Sequence, residues 1–223
     1  MKLIELIFSI LIIAILSCGA FLSYSLALPN NTRSTLTTLY ALKHTRILSL
    51  ADSTYLGFLE FGDIYNFARV DSARLLQNTQ NFLWQTQFHT SGIYTKNSLS
   101  IYRDTPRFAS STDFDRRPLA GDIVALNVGN SQCLSGYNNS NITGFCKDNA
   151  AFDFRLFESN RLDLLSLGAM SSCVERDTFR FYFSDFGSIL CGNNIHTPLS
   201  QQIRVGDSII MLENLSGYAF ILH

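Results

Sequence analysis

From Leu6 to Leu28 the chain carries no charge and is mostly Leu, Ile, Phe and Ala. A run of that length suffices for a helix of roughly 20 residues to cross the hydrocarbon layer of a membrane. Glu5 stands at its mouth, and the next charge is Arg33. Ionisable residues at such a border are few and usually functional. Three readings compete for the run: a cleaved secretory signal, a lipoprotein signal around Ile15-Leu16-Ser17-Cys18, and a retained membrane helix. Both signal readings expect a net positive start, whereas Lys2 is offset by Glu5. Both also expect the apolar segment to end near Cys18, yet Phe21, Leu22, Tyr24, Leu26 and Leu28 continue it. The retained helix is therefore the leading expectation.

A second helical pattern begins after Pro29-Asn30-Asn31. Leu36, Leu39, Tyr40, Ile47 and Leu50 recur at the spacing of one helix face, with Lys43 interrupting the stripe. Pro29 would kink one long helix or split two. Unbroken through Asp52, such a helix would be about 75–80 Å long, half of it in the membrane and half against a globular body. The organisation expected is thus a transmembrane segment over 1–28, its continuation beyond the membrane over 29–53, and a globular α+β domain over 54–223, the last two periplasmic if the resemblance given below holds.

The remainder reads as one domain with room for a core. A net charge of −1 offers no broad electrostatic footprint for nucleic acid. The 18 phenylalanines and nine tyrosines cluster in short alternating segments, which favours a sheet. Trp84–His89, Phe152–Phe157 and Thr178–Phe183 alternate with the period of two of a half-buried strand. Ser208–Leu212 and Tyr218–Leu222 are shorter apolar runs entered through Gly206-Asp207 and Gly217. Asp122–Val128 reads as a further strand, Val70–Leu76 as a short helix, and Arg103–Pro118 as a surface loop. The fold class expected is α+β, with a long N-terminal helix packed on a C-terminal antiparallel sheet.

Four of the five cysteines, Cys133, Cys146, Cys173 and Cys191, lie in the C-terminal half. Their spacings suit two local bridges, Cys133–Cys146 and Cys173–Cys191, while the two other pairings stay open. Each bridge would contribute roughly 3 kcal/mol and would imply an oxidising compartment. Zinc is the competing use, but no CxxC or paired histidine accompanies the cysteines.

Catalytic signals are absent. His44, His89, His196 and His223 are far apart in sequence, and no nucleophile elbow, phosphate loop or dinucleotide fingerprint occurs. Asp148, Asn149 and Asp153 lack the spacing of a calcium loop and read as a solvated turn. Asp113, Asp115, Arg116 and Arg117 read as an exposed charged loop. The expectation is no catalytic residue, no metal, no cofactor and no small-molecule substrate.

Leu3-Ile4-Glu5-Leu6, followed by Ile-, Leu- and Ala-rich sequence, resembles the N-terminus of type IV pilins and of the pseudopilins of type II secretion and competence systems. Three later stretches resemble minor pseudopilins in the same order along the chain: Ala41-Leu42-Lys43-His44-Thr45-Arg46, the strand and turn Phe179–Gly187, and the closing hairpin Glu213–Phe220. The resemblance implies a structural subunit that assembles through its N-terminal helix into a periplasmic filament. Met1, Leu3, Ile4 and Glu5 would be its assembly residues, with Glu5 neutralising the α-amino group of a neighbouring subunit. Ala14, Gly19 and Ala20 would permit close helix contact. The partners implied are other pilin or pseudopilin subunits, the inner membrane, and a prepilin peptidase with its assembly machinery. The family's basic leader ending in glycine does not precede Met1, which leaves cleavage and N-methylation open. The placement implied is the bacterial inner membrane, single-pass, with the C-terminal domain in the periplasm. The alternative is a membrane-anchored or lipidated periplasmic binding protein that forms no filament.

Overall fold

The computed structural model describes residues 30–52, 79–89, 98–105, 114–155, 173–175, 178–191, 195–196 and 200–222. Met1, Leu3, Ile4, Glu5 and Cys18, the uncharged run, the short helix expected over Val70–Leu76 and His223 lie outside them. Helix α1 spans Asn30–Ala51. It is followed by strands β1 (Trp84–His89), β2 (Ser98–Arg103) and β3 (Ile123–Val124), then by the short helix α2 (Gly144–Asp148). Strands β4 (Val174–Glu175), β5 (Thr178–Phe183), β6 (Ile189–Cys191) and β7 (Ile195–His196) come next. The chain closes with β8 (Gln201–Val205), β9 (Ser208–Leu212) and β10 (Ala219–Leu222).

The strands form two antiparallel sheets. The larger runs β3-β2-β1-β5-β6-β7, with β4 also paired to β5, and the smaller is the meander β10-β9-β8. Register follows the alternation of the sequence. Trp84 lies opposite Phe183, Thr86 opposite Phe181, and Phe88 opposite both Phe179 and Leu99. One face of the larger sheet is therefore aromatic and aliphatic, and it packs with Ile203, Val205, Ile210, Leu212 and Ala219 of the meander into a single core. At ~25 cal/mol per Å² of buried apolar surface, each of the buried Val, Leu, Ile and Phe side chains contributes roughly 1.5–3 kcal/mol.

Helix α1 lies against both sheets, and the face it turns inward is small and hydroxylated. Ser34, Thr35, Thr38, Ala41, Leu42, Thr45 and Ser49 are buried. Small side chains let the helix approach two sheets closely, and the hydroxyls of Thr45 and Ser49 find acceptors within the helix, whereas Thr38 Oγ1 has no hydrogen-bond partner among the described residues. Thr45 Oγ1 donates to the Ala41 carbonyl at 2.7 Å and lies 2.6 Å from Thr86 Oγ1, while Ser49 Oγ donates to the Arg46 carbonyl. The C-terminal end of α1 is pinned by Asp52, whose carboxylate accepts from Trp84 Nε1 at 2.9 Å and Arg103 Nη1 at 2.6 Å.

Two expectations are corrected. The fold is not a long N-terminal helix on one C-terminal sheet: α1 has 22 residues, about 33 Å, and packs one face against two separate antiparallel sheets. Strands from the middle of the chain, β1 and β2, occupy the larger sheet's interior, so that sheet is not a C-terminal unit. The single-pass inner-membrane placement is overturned as well, because no helix among the described residues is long and apolar enough to cross a membrane. Helix α1 carries Arg33, Lys43 and Arg46 among its hydroxyls, groups a bilayer interior does not accept without large cost.

Smaller elements divide along the same lines. β1 and β5 have the bounds expected from alternation, and β9 those of the apolar run Ser208–Leu212. Phe152–Phe154 is a single 3₁₀ turn instead of a strand, and Asp122–Val128 shortens to Ile123–Val124 plus a Leu126–Cys133 bridge. Both disulfides join the locally spaced cysteines, Cys133–Cys146 and Cys173–Cys191.

Candidate functional site

Two features of the molecule carry chemistry beyond the core. The first is the far face of the larger sheet, where alternation places Gln85, Gln87 and His89 of β1 opposite Tyr102, Ser100 and Ser98 of β2, and opposite Tyr182, Arg180 and Thr178 of β5. Alternation alone presents such a face to water. Instead Gln85, Gln87, His89, Ser100, Tyr102, Arg180 and Tyr182 are all buried. The segment after Phe114 lies over them: the Arg116 carbonyl accepts from Arg180 Nη2 and from Gln87 Nε2, and Tyr137 packs on His89 with ring centroids 5.0 Å apart. Tyr102 Oη donates to Gln87 Oε1 at 2.8 Å, and Arg180 Nη1 donates to Tyr182 Oη at 3.0 Å. His89 Nε2 lies 3.1 Å from Ser100 Oγ. Burial, with the positive charges of Arg180 and Arg117 nearby, pushes the His89 pKa down to about 3, so the ring is neutral.

At the edge of this network the chain leaves β2 and returns to β3, and three carboxylates converge. One oxygen from each of Asp104, Asp115 and Asp122 lies within 4.8 Å of the others. Asp104 is fully buried; its Oδ2 accepts from the Arg116 N–H at 2.8 Å, while its Oδ1 has no hydrogen-bond partner among the described residues. Asp122 is held by the N–H groups of Thr105 and Leu119, each at 2.9 Å. Burial and then the charges of Asp122 and Asp115 push the Asp104 pKa up to about 8, and burial raises that of Asp122.

The second feature is the outward face of α1. Leu36 (47 %), Tyr40 (41 %), Ile47 (58 %) and Leu50 (47 %) keep large fractions of their surface in water. With Lys43 they advance in steps of four, three, four and three, the spacing of a seam that meets another helix. Of the stripe recognised in the sequence, Leu36, Tyr40, Ile47 and Leu50 face away from the body, while Leu39 packs against the core. Lys43 lays its ammonium 5.2 Å from the centre of the Tyr218 ring, which leaves the seam apolar on either side of it. At the C-terminal end the surface continues onto two turns that abut the helix. Arg46 Nε donates to the Ser216 carbonyl at 2.6 Å, and exposed Phe186 and Leu215 stand on those turns. At the N-terminal end a groove of ≈ 550 Å³ opens between Leu36 and Tyr40 on one side and Asn130, Gln132 and Asp153 on the other.

The residues singled out from sequence are scattered. Asp153 forms an ion pair with Arg33, Asp148 ends α2 and Asn149 caps it. Arg116 and Arg117 are exposed as expected, but Asp115 joins Asp104, which the loop reading left unmarked. Asp113 lies outside the described residues. The carboxylate cluster left one trace in sequence, an aspartate at each end of a turn-rich stretch, and that trace is common to many loops. Set against protein-family models, curated proteins and solved structures, the chain matches none.

Proposed function

We propose that this chain is a non-catalytic structural subunit, similar in role to the minor pseudopilins, that joins a filament of a secretion, DNA-uptake or pilus system. Helix α1 packs its outward seam against the equivalent helix of a neighbouring copy, and Glu5 meets a positive charge on that neighbour. The observation that carries this reading is the water-exposed stripe Leu36, Tyr40, Ile47 and Leu50 at four-and-three spacing, because solvent-facing positions of a helix are ordinarily polar. The order of the resembling stretches along the chain supports it, and the two disulfides fit assembly in an oxidising compartment.

The test is incorporation in cells. Ile47→Asp places a charge in the seam, and Glu5→Gln removes the carboxylate without changing its shape. Each is expected to lower recovery in the sheared filament fraction by at least about tenfold, as a loss of roughly 1.4 kcal/mol implies. Protease resistance of the folded body is expected to stay at the wild-type level. A binding protein that forms no filament would give variants indistinguishable from wild type in complementation, and that result would end the proposal.

A further inference from the structure

We infer that Asp104, Asp115 and Asp122 form a site for one hard divalent cation, of the calcium and magnesium class, at the crossing from β2 to β3. Three carboxylate oxygens within 4.8 Å of one another can share one ion. At metal–oxygen distances of 2.3–2.6 Å, ligands on opposite sides of a calcium ion are roughly 4.6–5.2 Å apart. Clustered acids alone would not carry the assignment. What carries it is Asp104, which is fully buried, directed at the other two carboxylates, and leaves Oδ1 without a donor among the described residues. A buried carboxylate oxygen without a partner is costly, and a cation satisfies it.

The surroundings fit an ion held by oxygen. Neither Asp104 nor Asp122 has an ion-pair partner among the described residues, and the nearby Arg180 guanidinium is committed to the Arg116 carbonyl and Tyr182. Asp122 is oriented by two backbone N–H groups and the Thr105 hydroxyl, the kind of outer support that fixes a ligand before the metal arrives. Oxygen-only donors exclude a preference for softer metals such as zinc. The ion would tie the end of β2 to the segment that lies over the buried polar face, and so would hold that cover in place.

The site is independent of the assembly reading and is tested on the full chain at pH 7.5. After chelation, titration with Ca²⁺, and separately with Mg²⁺, is followed by calorimetry and by thermal unfolding. One bound ion per chain is expected, with the unfolding midpoint raised by roughly 5–10 °C at a hundredfold excess over Kd. Asp104→Asn and Asp122→Asn are each expected to abolish the heat and the shift while retaining the far-ultraviolet circular dichroism of the parent. Two variants guard against one that misfolds. No binding of either ion by the parent would overturn the site and leave a shared proton as the group that relieves Asp104. Binding that survives both substitutions would overturn it equally, by placing the ion elsewhere.

Discussion

His89 shows how a single position couples the sheet's hidden face to solution conditions. Its ring is buried against Tyr137 and Ser100, with Arg180 and Arg117 nearby. Its pKa in the folded chain is about 3, below the ordinary 6.5. Above pH 6.5 the residue is neutral in both states and its contribution to stability is complete. As pH falls from 6.5 towards 3, only the unfolded chain takes up the proton, so stability is lost at up to about 1.4 kcal/mol per pH unit. His89→Gln retains a hydrogen-bonding side chain and removes that titration. Urea unfolding of the two proteins between pH 7 and pH 4 is expected to give curves that diverge as pH falls, the parent losing stability faster. Parallel curves would mean that the ring is accessible to water in the folded chain.

At the scale of elements, the turns against the helix are the sharpest constraint. Gly217 has φ +61°, and a Cβ there would lie 2.0 Å from the Gly187 carbonyl oxygen. Gly187 has φ +79°, but its nearest neighbours to such a Cβ are at 3.3 Å. Gly217→Ala is expected to destabilise the protein by on the order of 3 kcal/mol, combining left-handed strain with a backbone clash. Gly187→Ala is expected to cost about 1–2 kcal/mol, from the strain and a milder contact. Chemical denaturation of the pair checks the ranking, and equal losses would show that the close approach does not exist in solution. The strands around these turns were legible because period two is a local signal: Phe179, Phe181 and Phe183 announce β5 without reference to anything distant. The stripe on α1 was legible too, but its direction was not. Periodicity reveals that apolar residues share a face, and only the approach of two sheets to Ser34, Thr38, Ala41 and Thr45 decides that the face points outward. The buried polar face and the aspartate cluster were illegible for a related reason. Their cover comes from the aperiodic stretch 114–142, and Asp104, Asp115 and Asp122 meet only after the chain has turned back on itself.

For the whole molecule, the arrangement is a body with two unlike surfaces. Its sheets close a core on one side of α1, and on the other side the helix presents a seam continuous with the turns carrying Phe186 and Leu215. The seam meeting itself about a two-fold axis would close as a dimer, whereas a staggered contact, in which one part of the seam meets a different part of a copy's, is heterologous and can propagate as an open array. Lys43 would face its own counterpart in a parallel pair without stagger, and like charges there disfavour that pairing; a staggered array avoids it. The most direct measurement is photo-crosslinking in cells, with a benzophenone side chain at Leu36 or Ile47 of the full chain and mass-spectrometric mapping of the adduct. The expected result is a covalent link from either position to α1 of a second copy, lost when Glu5→Gln is added. Links confined to the same copy, or to no part of α1, would contradict the assembly of this protein through its outward helix face.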